Sequence, residues 1–220
     1  MAIKFTRGIR DIPRPVIDRT RDGGLNLHAA YIRQQRRSGT CCFIHINTCG
    51  GTSVERTLGL PPIHDTSRKR RDKVGRDRWN QMVKFSLVRR PDAKVCSHYR
   101  YRRDTGADVD QGRRDRLERV GHRAYDENDP RHHDHPSRFR PCADRPGDEN
   151  GTLMMDFVCR LGSMDADQQT VEEMTGVTVA LPKVNCPPAN GAPEDLLEAR
   201  SKAITAGHFR ADVDLLGYIP

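Results

Sequence analysis

The stretch CCFIHINTCGGTSVERTLG, from Cys41 to Gly59, decides the fold. Its first six residues, Cys41 to Ile46, form a short apolar run of strand character, closed by the turn-rich NTCGGTS. VERTLGL follows with Val54 and Leu58 at helical spacing and Gly59 placed to cap the end. Strand, glycine loop and helix in succession open an α/β fold. Within the strand, Cys41 and Cys42 are neighbours and must point to opposite faces, as core or partly buried thiols.

Downstream, a polar helix is expected from Thr66 to Trp79, with Asp65 or Thr66 as N-cap. MVKFSLV, Met82 to Val88, alternates Val83, Phe85 and Leu87 with Lys84 and Ser86, and such a strand halts before Pro91. DAKVCSHYRYRR reads as the next helix, with Val95 and Tyr99 four apart. Thr152 to Gly162 is strand-like, Asp165 to Thr175 helical, and a last helix is expected over Ala192 to Ala206 with Pro193 and Glu194 in its first turn. Residues 1–39, with Pro13, Pro15, Gly23 and Gly24, read as a loosely docked N-terminal arm. Between Asp104 and Gly151 the chain is mostly Arg, Asp, His, Pro and Gly, apart from an expected helix over Gln111 to Tyr125. The expectation is one α/β domain over 40–220, with a central, mainly parallel sheet flanked by helices. Ligands of such sheets sit at the carboxyl ends of the strands, so Asn47–Ser53 and Arg89–Ser97 share a rim if their strands are neighbours.

Charge narrows the partners. The 220 residues carry 38 Lys plus Arg against 30 Asp plus Glu, a net +8, with 35% apolar and 5% aromatic residues. Between Ser67 and Arg103 there are fourteen basic residues against three Asp, whereas from Gly147 onward there are five basic against twelve acidic. A basic middle and an acidic end imply either an anionic partner held at one place or a solvated helical face. Nucleic acid, a phosphorylated nucleotide and an acidic glycan all meet the first description. No run approaches the roughly 18 apolar residues of a membrane span, and the N-terminus has no apolar signal region, so a soluble cytoplasmic protein without membrane contact is expected. Seven cysteines without a C-x-x-C pair argue for reduced thiols rather than a disulfide framework or zinc ribbon. HHDH at His132–His135 has ligand-type side chains, but adjacent residues rarely converge on one ion, so no metal is expected.

NTCGGTS is either a plain strand-to-helix turn or a phosphate cradle. Gly50 and Gly51 let backbone N–H groups approach an anion at a helix start, and Thr52 and Ser53 add hydroxyls. The G-x-x-x-x-G-K-[ST] loop is absent. FIHINTCGGTSVERTLG resembles the glycine loop of sulfotransferases that use 3′-phosphoadenosine 5′-phosphosulfate. VRRPDAKVCSHY resembles their second motif, with Arg89, Pro91, Ser97 and Tyr99 in register. Similarity to the carbohydrate-type branch extends through HDTSRKRRDKVGRDRWNQMVKFSLV, RFRPCADRPGDENGTLMMDFVCRLGSMDAD, VTVALPKVN and DLLGY, across about residues 40–220.

The resemblance implies a P-loop-like domain that moves a sulfuryl group to a hydroxyl, on a carbohydrate. It assigns the 5′-phosphosulfate to Cys49, Gly50, Gly51, Thr52 and Ser53, and the 3′-phosphate to Arg89 and Ser97. Bidentate phosphate binding suits Arg89. The acceptor proton needs a base, for which His64 is the first candidate, the alternative being a structural or solvent-exposed histidine. His98, beside Ser97, is the second, or packs within its helix. Asn47, Thr48 and Cys49 replace the family's Pro-Lys-Thr, so the lysine at the transferring group is missing. Such a loss costs about 2.7–4 kcal/mol, a hundredfold to thousandfold in rate. Arg56, Lys84 and Arg90 are the candidate substitutes. Arg90 stands for the usual Asn, Lys94 for an Arg, and Cys142 where Gln is common. Two alternatives stand beside the enzyme: a degenerate member that binds nucleotide or glycan without turnover, and a basic nucleic-acid-binding module, the latter lacking any known motif. The sequence assigns no oligomeric state.

Overall fold

A computed structural model describes Ile32 and residues 39–105, 140–175 and 197–218. The N-terminal arm apart from Ile32 and Gly39, the expected helix over Gln111–Tyr125, the HHDH segment and the first part of the expected final helix lie outside the described residues. The described chain forms two compact units. One holds Ile32 and residues 39–46, 50–88 and 145–175; the other holds 47–49, 89–105, 140–144 and 197–218.

The first unit is built on a three-stranded parallel sheet in the order β1 (Cys41–Ile44), β2 (Val83–Val88), β3 (Phe157–Arg160). Cys41 pairs with Val83 and Ile44 with Ser86, while Phe85 pairs with Phe157 and Val88 with Arg160. Cys41 and Phe43 face a core completed by Phe85, Leu87 and Cys159 of the sheet, Val54 and Leu58 of α1 (Gly51–Leu58) and Val171 of α5 (Met164–Thr175). Cys42 and Ile44 face the other way, onto Ile63, Val74 of α2 (Ser67–Val74), Trp79 of α3 (Arg76–Gln81) and Met82. The fold is therefore α/β, with a parallel sheet covered on both faces by helices. Burial on both sides also explains why the expected alternation in β2 fails. Ser86 is fully buried and donates its hydroxyl to the Ile44 carbonyl at 2.8 Å.

Three expected boundaries move for local reasons. The strand expected over Cys41–Ile46 ends at Ile44, although His45 and Ile46 stay buried. The single helix expected over Thr66–Trp79 is two, broken at Gly75, whose φ of 93° and ψ of 146° no helix tolerates. Thr66 is its N-cap and accepts from the Lys69 N–H, while buried Asp65 takes the Lys69 and Lys73 ammonium groups instead. The strand expected from Thr152 begins only at Phe157, because Asp148–Leu153 folds back on itself through Asp148 N–H to Thr152 O and a Gly147–Leu153 bridge.

The second unit contains α4 (Pro91–Thr105), a 3-10 turn (Cys142–Asp144), α6 (Ala199–His208) and α7 (Arg210–Leu216). Val95 and Cys96 of α4 pack with Leu197 and Phe209, and Tyr99 and Ile204 cover them. Helix α6 runs past the expected end at Ala206, and α7 was not expected at all. Buried Asp212 explains α7's place, since it accepts the backbone N–H groups of Cys142 and Ala143, both at 2.8 Å. No helix among the described residues is long and apolar enough to cross a membrane.

Candidate functional site

The glycine loop turns at two left-handed residues. Thr48 sits at φ +62°, which strains a β-branched side chain, and its hydroxyl donates to the Asn47 carbonyl at 2.6 Å. Gly50, at φ +82°, is the N-cap of α1, and a Cβ there would also press on Leu161 at 3.1 Å. Ser53 N–H closes back on the Gly50 carbonyl at 3.1 Å, so Gly51, Thr52 and Ser53 form the first turn of an eight-residue helix. The opening N–H groups of such a turn lack intrahelical acceptors, and the helix dipole adds positive potential there.

Behind Gly51 lies a feature that sequence reasoning missed. His45 is buried, and its Nδ1 is 2.6 Å from Oε1 of the equally buried Glu55. The ring lies so close to Gly51 that a Cβ there would fall 2.5 Å from Cδ2 and 2.7 Å from Nε2. The exposed His64 ring stands 4.2 Å from the His45 ring, centroid to centroid. The His64 carbonyl accepts from Arg145 Nη1. The first unit thus gathers Gly51, His45, Glu55 and His64, of which only Gly51 and His64 were expected. The available signal was Glu55 itself, a carboxylate within the apolar Val54–Leu58 stripe of a helix.

The second unit holds the other motif. Arg89, directly after β2, donates from Nη1 to the Thr48 carbonyl at 3.1 Å. Ser97 is half-buried on α4, and His98 is buried on the same helix. Cys49 is fully buried, with its Sγ 3.5 Å from Sγ of Cys142. Cys142 also reaches the Arg89 carbonyl at 4.0 Å. Burial disfavours a thiolate, yet the Cys142 hydrogen bond and the Lys94 and Arg89 cations hold the Cys49 thiol below its ordinary value. Cys142, sharing its hydrogen with Cys49 and buried as well, is pushed well up. Lys94 is itself buried, donating to the Arg140 carbonyl with its ammonium 4.8 Å from the Phe209 ring centre. Burial also pushes Asp212 up, against its two backbone hydrogen bonds and Lys94.

Of the three candidate substitutes for the loop lysine, two are held by carboxylates. Lys84 lies at the start of β2, the opposite end of the strand from the loop-bearing edge, and pairs with Asp156 at 2.9 Å. Arg56 is exposed in the last turn of α1. Arg90 is exposed and grips Asp92 through both Nε and Nη2. The outlying thiols are inert by burial, Cys41 being pushed up to about 11 and Cys42 and Cys159 to about 12. Among the described residues no group of three or more His, Cys, Asp or Glu is placed to hold a metal ion. Part of the basic run is engaged within the fold: Lys69 and Lys73 on Asp65, Arg71 on Asp72, and Arg70 buried. Comparison of the chain with protein-family models, with curated proteins and with solved structures finds no match to any of them.

Proposed function

We propose that the chain is a P-loop-like sulfotransferase that takes 3′-phosphoadenosine 5′-phosphosulfate as co-substrate and passes its sulfuryl group to a hydroxyl, on a carbohydrate acceptor. The observation that carries this reading is the hydrogen bond from Arg89 to the Thr48 carbonyl, because it ties the arginine of the second motif to the loop of the first. The two residues stand 41 positions apart in sequence, and a site shared by both motifs requires such a contact. In this reading Cys49, Gly50, Gly51, Thr52 and Ser53 hold the 5′ end of the nucleotide through backbone N–H groups and hydroxyls, and Arg89 and Ser97 hold the 3′-phosphate.

Sulfuryl transfer moves charge from one oxygen to another, so positioning and charge stabilisation carry most of the rate. Helix α1 supplies positive potential at the transferring group. His64 takes the acceptor proton, and the buried Glu55–His45 pair fixes the ring beside which His64 stands. Titration calorimetry with 3′-phosphoadenosine 5′-phosphate tests the nucleotide site. Saturable one-to-one binding that weakens at least tenfold in Arg89→Ala and in Ser97→Ala is expected. Absence of binding, or affinity indifferent to both substitutions, overturns the assignment.

A second reading is favoured by Thr48 in the lysine position and by the engagement of Arg90 and Lys84 elsewhere: a member that binds nucleotide or glycan with little turnover. Thr48→Lys separates the two, since a large gain in sulfation from near zero marks a degenerate enzyme. Binding of nucleic acid draws less support, because the ion pairs of Lys69, Lys73 and Arg71 leave less positive charge for a polyanion.

A further inference from the structure

The Cys49–Cys142 contact is not explained by nucleotide binding. The two sulfurs lie 3.5 Å apart, 93 residues apart in the chain, in a fully buried setting beside Lys94 and Arg89. Two thiols that only filled space would be served as well by Ala or Val. Here each instead faces the other's sulfur, and closing the gap to a covalent S–S bond needs a movement of only about 1.5 Å. Both backbones are also held: Thr48, next to Cys49, by Arg89, and Cys142 by the Asp212 carboxylate.

We propose that Cys49 and Cys142 form a reversible redox pair, oxidised by a small peroxide to a disulfide that staples the glycine loop to the 3-10 turn. Cys49 is the attacking sulfur, because the Lys94 and Arg89 cations beside it favour its thiolate. The Cys49 sulfur attacks one oxygen of hydrogen peroxide, the O–O bond breaks, and hydroxide leaves as water after taking a proton. The resulting Cys49 sulfenic acid is attacked by the Cys142 sulfur. The S–O bond breaks, the S–S bond forms, and the second oxygen leaves as water with the remaining thiol proton. Two thiols are oxidised by two electrons and one peroxide is reduced to two waters. Prompt resolution by Cys142 protects Cys49 from the irreversible sulfinic state. Hydrogen peroxide is little larger than water, which suits a buried pair.

The proposal stands on the sulfur geometry and on no nucleotide, so it can fail while the sulfotransferase reading survives, and the reverse. The full chain, reduced and then exposed to graded hydrogen peroxide at neutral pH, is read by intact mass, by peptide mapping and by thermal unfolding. Expected are a loss of two hydrogens, a cross-linked peptide joining Cys49 to Cys142, reversal by dithiothreitol, and a higher unfolding temperature for the oxidised chain. Cys49→Ala and Cys142→Ala should each abolish all four changes, and Cys142→Ser serves in the same way if an alanine variant fails to fold. A disulfide to any other cysteine, a gain of one or more oxygens without cross-linking, or no change in mass overturns the proposal. A cross-link without change in unfolding temperature overturns the stapling.

Discussion

Gly51→Ala is a small substitution with a large expected consequence. A Cβ at this position would lie 2.5 Å from Cδ2, 2.7 Å from Nε2 and 2.9 Å from Cγ of His45, well inside contact distance for all three. The ring has little freedom to yield, because it is buried and held at 2.6 Å by Glu55, while Phe43 stands 6.0 Å away on the strand side. Overpacking of this kind costs about 1–3 kcal/mol. If the ring does swing away, Glu55 is left buried without its partner, which costs about 1.5–3 kcal/mol instead. Alanine's better helix propensity returns at most about 1 kcal/mol, and less in a first turn. The expected net loss is about 2 kcal/mol, or roughly 4–8 °C in unfolding temperature for a chain of this size. Thermal unfolding followed by circular dichroism measures it, in a cycle with His45→Ala. In the His45→Ala background the added methyl enters space left by the ring, so Gly51→Ala should cost less than about 0.5 kcal/mol there, giving a coupling above about 1 kcal/mol. Equal costs in the two backgrounds, or a Gly51→Ala chain as stable as the parent, would refute the close packing of loop on ring.

Two further outcomes probe the supports around the candidate site. Asp212→Ala should lower stability by about 3 kcal/mol in urea melts, because two buried backbone N–H groups lose a charged acceptor, and Asp212→Asn should recover part of that loss. Asp65 is the acid-sensitive support of α2. Burial alone would raise its pKa, but Lys73, Arg70 and Lys69 hold it below the ordinary 3.8. A carboxyl depressed on folding stabilises fully above its unfolded value and loses that contribution as pH falls through the folded one. Asp65→Asn should therefore cost about 1–3 kcal/mol at pH 7, and the gap to the parent chain should close as the pH drops below 3.8. A gap that stays constant as the pH falls well below 3.8 would show that the Lys and Arg contacts do not hold the carboxylate.

Much of the local structure was legible because it depends on near neighbours. Gly59 caps α1 through its N–H to Glu55 and Arg56 carbonyls, Thr66 caps α2, and the strand before Pro91 stops at Val88. The split of Cys41 and Cys42 to opposite cores follows from the two-residue period of any strand. Boundaries were misplaced where one residue's conformation or a turn intervened, as at Gly75 and Asp148–Leu153. Ser86 was misread because alternation marks only a half-exposed strand, and β2 lies between two neighbours with both faces covered.

The candidate site divides in the same way. Its loop, Cys49 to Ser53, and its second motif, Arg89 to Ser97, stand in the sequence as contiguous patterns, since a strand-to-helix turn and a helix start are encoded by adjacent residues. The hydrogen bond of Arg89 to the Thr48 carbonyl is not encoded there. It follows from β1 and β2 being parallel neighbours, which brings the carboxyl ends of both strands to one edge of the sheet. Tertiary structure alone placed Glu55 against His45 and set Cys142 on Cys49. Each of these depends on burial and on contacts between distant parts of the chain. Residue type and spacing determine which elements form and where they stop; which buried charge or thiol finds a partner is decided only when the elements pack.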